Sequence, residues 1–182
     1  MVRKHGPWTI QETTQKYFDS FIDVCEDQVL RPNGQPGTYA TVTMKPAVAV
    51  LPIDRDNVVY LTRQFRYAIG KESVEVVCGN VDKNEPPLEA AKREVREEVG
   101  IEANELMELG VIDLDTSLIY CKLHLFVAKC LTFTSPQREE TETIETVKMP
   151  FDEAVQMVME SAITHGPSCV LILKARNAML AG

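Results

Sequence analysis

The sequence predicts a mixed α/β protein built in layers. Three observations predict it: short segments rich in β-branched and aromatic residues fill the first half, one amphipathic helix follows, and two helical pieces close the chain. Strand and helix do not alternate regularly, which weighs against a doubly wound parallel sheet.

Taken in order, residues 1–45 read as an N-terminal β segment and residues 46–182 as the main domain. "GTYATVTM" (37–44), "AVAVLPI" (47–53) and "VVYLTRQF" (58–65) are successive strands, with turn chemistry in "RPNGQPG" and "DRDN" between them. A shorter strand, "SVEVV" (73–77), runs toward Gly79. The period then changes. Asn84 is a candidate cap, Glu85 suits the positive end of a helix, and Pro86 and Pro87 are tolerated only in a first turn. Leu88, Ala91, Val95 and Val99 recur at spacings of three and four as a buried stripe, and Gly100 supplies a stop, so a helix spans about 86 to 99. Strands follow near 106–114, 121–131 and 143–149, separated by "DTSLIY" and "TSPQREETET". "PFDEAVQMVMESAI" and "PSCVLILKARNAML" carry helical periodicity and are divided by "THGP".

Composition narrows the function. At 182 residues and 45% hydrophobic the chain can bury a substantial core. Its sustained apolar runs, Ala47 to Leu51 and Cys169 to Leu173, fall far short of the roughly 20 residues that cross a membrane. No apolar stretch follows the charged start "MVRKHGPW", so a cytoplasmic protein without a signal peptide is expected. The five cysteines are scattered and include no C-x-x-C pair, which argues against a disulfide framework or a zinc site. A net charge of −8 disfavours nucleic acid as a partner. A phosphorylated small molecule stays compatible with it where local arginines and a divalent cation supply positive charge.

The densest chemistry lies in "REVREEVG" (93–100). On a helix Glu94, Glu97 and Glu98 fall within a sector of roughly 100°, away from the apolar stripe. Carboxylates so spaced repel one another, and a hard dication with oxygen ligands reverses the sign of that interaction. Arg93 stands four residues before Glu97 and can pair with it, leaving Glu94 and Glu98 for metal. Alone, the cluster reads more readily as a solvated helix face of mixed charge, the commoner outcome.

The upstream spacing separates the two readings. From Gly79 the chain runs five residues to Glu85, seven more, then Arg93-Glu94-Val95-Arg96-Glu97-Glu98-Val99-Gly100-Ile101. This resembles the signature of the Nudix hydrolases, Gly-x5-Glu-x7-Arg-Glu-U-x-Glu-Glu-x-Gly-U with U aliphatic, and every defined position is met. The resemblance implies an α/β/α sandwich around a mixed sheet and Mg²⁺- or Mn²⁺-dependent cleavage of a diphosphate bridge. It assigns Glu94, Glu97 and Glu98 to the metal, with Glu98 as the bridging ligand and the Cys78 carbonyl as a further one. Arg93 would orient a glutamate, Gly79 would let the backbone approach the metal, and Glu85 would hold the loop.

A general base is still required, and "REETETIE" (138–145) offers glutamates leading into a strand that turns Ile144 and Glu145 to opposite faces. Its resemblance to the acidic loop of the ADP-ribose pyrophosphatase branch selects Glu140 as base and Glu142 as an additional ligand. "RQFR" (63–66) offers Arg63 and Arg66, read as facing the same side, for phosphate oxygens. Gln64-Phe65-Arg66, and Glu75 four residues before Gly79, resemble the nucleoside-diphosphate-sugar branch, as does "DQVLRPNGQPGTYATV". There Glu75 would contact ribose or metal, or pair with Arg66, and Trp8, Tyr39 and Phe65 are candidates for stacking on a base. The branch also implies a homodimer formed through the N-terminal β segment. Val77 and Cys78 replace its usual proline and alanine, and Thr116-Ser117-Leu118 replaces a proline-glycine. ADP-ribose and other nucleotide sugars such as GDP-mannose therefore both stay open. So do dinucleoside polyphosphates, dinucleotide coenzymes, oxidised nucleoside triphosphates and a non-catalytic nucleotide sensor. The histidines, His5, His124 and His165, show no acid or thiol partner at recognisable spacing.

Overall fold

The structure, a computed structural model, describes residues 2–137 and 143–180. The chain divides into two compact units, one of Met1–Lys45 with Asp113–Lys122 and one of Pro46–Ile112 with Leu123–Gly182.

In the first unit β1 (Arg3–His5), β2 (Trp8–Phe18), β3 (Ile22–Leu30) and β4 (Pro36–Met44) form an antiparallel meander. The β2–β3 turn is tied by the Asp19 carboxylate, which accepts the N–H groups of Phe21 (2.7 Å) and Ile22 (2.8 Å). Only the 37–44 strand was individually readable here. From Gln11 to Phe18 β2 is exposed on both faces, so it carries none of the apolar alternation that marks a half-buried strand. Thr13, Asp27 and Tyr39 stand side by side across β2, β3 and β4, and the Thr13 hydroxyl donates to Asp27 at 2.5 Å. Trp8 meets Tyr39 edge to face with ring centres 5.6 Å apart. These two rings, Asp27 and residues 116–120 line a cavity of about 470 Å³.

The second unit is centred on β5 (Ala47–Pro52). It pairs parallel with β10 (Ile119–Phe133) from Leu123↔Ala47 to Ala128↔Pro52, and antiparallel with β8 (Val77–Asn80). β9 (Ile101–Asp115) flanks β10. A smaller antiparallel sheet is ordered β11 (Glu145–Pro150), β6 (Val58–Arg66), β7 (Lys71–Glu75). Side chains of β5 alternate between two apolar cores. Val48 and Val50 pack with Ala91, Val95 and Val99 of α1 (Pro87–Val99) and with Phe126. Ala49 and Leu51 join Phe151 and Ala154 of α2 (Phe151–Met159) and Leu171, Ile172 and Ala175 of α3 (Gly166–Leu180). Helices thus cover both faces of the β10-β5-β8 sheet, the expected sandwich. No helix among the described residues is long and apolar enough to cross a membrane.

Three local expectations need correction. Asn84 takes a left-handed conformation (φ 67°) and caps nothing, since the chain must turn before Pro86, which is the N-cap. Leu88 is 40% exposed, and Ala90 completes the buried stripe in its place. The single strand 73–77 is two strands in two sheets: the chain crosses from β7 to β8 at Val76, whose N–H donates to Ser168 Oγ at 2.9 Å.

Candidate active site

Helix α1 ends at Gly100 in a left-handed conformation (φ 65°), and the Gly100 N–H bonds back to the Arg96 carbonyl. A Cβ at this glycine would lie 2.4 Å from the Thr134 carbonyl oxygen. The start of the same helix is held from within the loop before it. Arg93 Nε and Nη2 donate to the two oxygens of Glu85, each at 3.0 Å. Nη2 also reaches the Asn80 carbonyl at 2.9 Å, and Nη1 bonds Glu94 (2.7 Å) and Glu97 (3.2 Å). Glu85 Oε2 in turn accepts the Asp82 N–H at 2.9 Å. The guanidinium fork therefore ties loop to helix, with Glu85 as the loop's anchor. Hydrogen bonds from Arg93 hold the Glu85 carboxyl below its ordinary range, and the same bonds push the Arg93 pKa up.

Burial answers the question that the cluster posed. Glu98 is 6% exposed and the Glu94 side chain 12%, while Glu97 keeps 33%. A solvated charged face would leave all three in water. Glu94 lies directly over Gly79: a Cβ there would fall 1.9 Å from the Glu94 carboxyl carbon, so only glycine lets this carboxylate rest on the backbone. Desolvation and the charge of Glu98 push the Cys78 thiol well above its ordinary range, which leaves the main-chain carbonyl as the hard donor at that residue. Among the described residues no three His, Cys, Asp or Glu side chains converge tightly enough to cage a metal as they stand. Arg93 binds Glu94 as well as Glu97, so its pairing is not confined to Glu97 as the sequence suggested. The donor set itself, carboxylate and carbonyl oxygens beside a glycine cradle, fits a hard divalent cation.

Arg66 and Arg63 do not share a face, because three residues along a strand reverse the side. Arg63 donates to the exposed Glu145 at 3.2 Å. Arg66 pairs with Glu75 through both oxygens, at 3.0 and 2.5 Å, and the Glu75 side chain is only 3% exposed. Of the alternatives open for Glu75, the Arg66 pairing is what the structure contains. Behind it stands His165, with Nδ1 2.8 Å from Ser168 Oγ and 3.4 Å from Glu75 Oε2. Sequence reasoning found no acid near His165, and no local signal exists to find one, because its partner lies 90 residues earlier.

Trp8 and Tyr39 come together in the first unit, where the Tyr39 hydroxyl donates to the Ser117 carbonyl at 2.6 Å. Phe65 is exposed on β6. Ile144 is buried and Glu145 exposed, the expected alternation. Glu140 and Glu142 lie outside the described residues.

Residues 43–167 match the family model described as the NUDIX domain. The chain is 30% identical over 165 residues to the methanol dehydrogenase activator of Bacillus methanolicus, covering 88% of each. It is 28% identical over 146 residues to the ADP-ribose pyrophosphatase of Bacillus subtilis (strain 168), covering 79% of each. A solved structure entitled "Crystal structure of ADP compounds hydrolase" superposes with a TM-score of 0.83 at 22% identity, over 98% of this chain and 97% of that one, a likeness of fold.

Proposed function

The chain belongs to the Nudix family, and from that premise we propose that it hydrolyses the pyrophosphate bond of a nucleoside diphosphate sugar. ADP-ribose or a related nucleotide sugar such as GDP-mannose would yield a nucleoside monophosphate and a sugar phosphate. The observation that carries the reading is the pair of shielded carboxylates, Glu94 and Glu98, set beside Gly79 and ordered by Arg93. The names of relatives support the substrate class, the ADP-ribose pyrophosphatase of Bacillus subtilis among them.

Glu94, Glu97 and Glu98 would hold Mg²⁺, or Mn²⁺ in its place, with the Cys78 carbonyl and Glu142 as further ligands. Bound there, the cation neutralises phosphate oxygens and acidifies water. The chain's own residues do the rest. Arg66 presents a planar fork to the phosphate oxygens, and Glu75 fixes the orientation of Arg66. Glu140 takes the proton of the water that attacks phosphorus, as the bond from that phosphorus to the bridging oxygen breaks and the oxygen leaves with the second phosphate. Trp8 and Tyr39, which meet in the first unit, stand as candidates for stacking on a base. The reading includes a cytoplasmic homodimer.

Incubation of the purified protein with Mg²⁺ and a panel of diphosphate compounds, followed by separation of products, tests it. The panel includes dinucleoside polyphosphates, dinucleotide coenzymes and oxidised nucleoside triphosphates. AMP and ribose phosphate released from ADP-ribose, or the corresponding pair from another nucleotide sugar, is the expected result. A panel left wholly intact would overturn the enzyme reading in favour of a nucleotide sensor.

A further inference from the structure

We propose that His165 and Ser168 are positioning residues that hold the Glu75 carboxylate against Arg66 and so aim the remaining donors of that guanidinium. Glu75 ends β7 and is 2% exposed. Desolvation raises its pKa, yet the hydrogen bond from Arg66 and the other groups around it bring the net direction below the ordinary range, so it is charged. Arg66 bonds one donor to each oxygen. Two of its five donors are thereby committed, and the direction of the rest follows from where Glu75 sits.

Glu75 Oε2 also faces His165 Nδ1 at 3.4 Å, and the same nitrogen lies 2.8 Å from Ser168 Oγ. Ser168 is fully buried, and its oxygen already accepts the Val76 N–H. A carboxylate oxygen cannot donate, and the serine oxygen has a second lone pair to offer. Because the charged Glu75 oxygen can only accept, a proton on Nδ1 forked between it and Ser168 Oγ avoids facing a ring lone pair toward the carboxylate, which assigns His165 as the Nδ1–H tautomer. Desolvation, with Arg66 adding to it, keeps the ring toward its neutral form. The pair thus grips the chain at two consecutive residues: Glu75 by its side chain, and Val76 by the amide at the crossing between sheets. Three residues further on is Gly79, under Glu94.

The test reads Arg66 directly. Hydrogen exchange at Arg66 Nε–H and Val76 N–H is followed by NMR in the full chain without substrate. In His165→Leu, exchange at Arg66 Nε–H is expected to rise about tenfold, the scale of one lost hydrogen bond to a charged group. The Val76 amide should keep its rate, because Ser168 is still present. His165→Asn, whose amide nitrogen stands where Nδ1 did, restores the slow exchange, and Ser168→Ala speeds both sites. A folded His165→Leu protein with unchanged Arg66 exchange would overturn the proposal. Where that variant does not fold, His165→Gln replaces it, since its amide reaches the position of Nε2 rather than Nδ1, and an unchanged Arg66 rate there overturns the proposal equally. A kinetic arm rests on the hydrolase reading: His165→Leu raises KM about tenfold with kcat within about twofold, and His165→Asn recovers KM. Should the wild-type protein cleave nothing in the panel, the hydrolase reading fails and the exchange rates alone decide this one.

Discussion

At Arg93 one planar cation meets Glu85, Glu94, Glu97 and the Asn80 carbonyl, and its strongest claim is on Glu85. Because the folded Glu85 pKa lies below its ordinary value of 4.5, the stability it contributes is complete above 4.5 and is lost as the pH falls through the lower, folded value. The stability difference between wild type and Glu85→Gln is therefore expected to shrink as the pH drops below 4.5, measured by urea denaturation across that window. Glu98 obeys a different logic. Its place off the apolar stripe suggested solvent, yet it is buried. Glu98→Gln keeps shape and removes a charge, so turnover should fall about a hundredfold or more while the melting temperature holds or rises. A progress curve beside a thermal melt checks both, and unchanged turnover would remove Glu98 from the chemistry. That Glu85 holds the loop, through its tie to Arg93, was legible because spacing along one loop and helix carries it. The contacts of Ser168 and His165 were not, since they depend on α3 meeting β7 across the fold.

Helix α1 shows how far periodicity reaches at the scale of an element. Val95, Val99 and Ala91 were readable as a stripe because they repeat with the helical turn, and they pack on Val48 and Val50 as that pattern requires. Its first turn was not readable, because Asn84 is used for a left-handed bend before two prolines rather than as a cap. Its last turn was, through Gly100. Gly100→Ala places a methyl carbon against the Thr134 carbonyl in a conformation that L residues avoid. A loss of about 1–3 kcal/mol is expected in chemical denaturation. Equal midpoints for the two proteins would mean that the loop after β10 yields at no cost. The crossing at Val76 was hidden for a related reason: "SVEVV" is apolar enough to be one strand, and only a buried serine from a distant helix reveals that the amide has left the ladder.

For the whole molecule the decisive feature is that the second unit is held by two apolar cores. One lies between β5 and α1, the other between β5 and α2 with α3. Chelation with EDTA is accordingly expected to abolish hydrolysis while the melting temperature shifts by no more than about 2 °C, unlike a small zinc domain that unfolds when its ion is withdrawn. A large fall in melting temperature would show that the ion is structural. The sandwich was legible because these cores impose the periods of two and 3.6 on their residues. The meander of the first unit was not, because its long β2 is bathed on both sides and carries no such imprint.

The chain's one tryptophan sits at the rim of the cavity in that meander, edge-on to Tyr39. Its intrinsic fluorescence therefore comes from a single address. A flat molecule entering the cavity would quench or shift the emission in a titration, with no label attached, while phosphate chemistry is followed separately in the same cuvette.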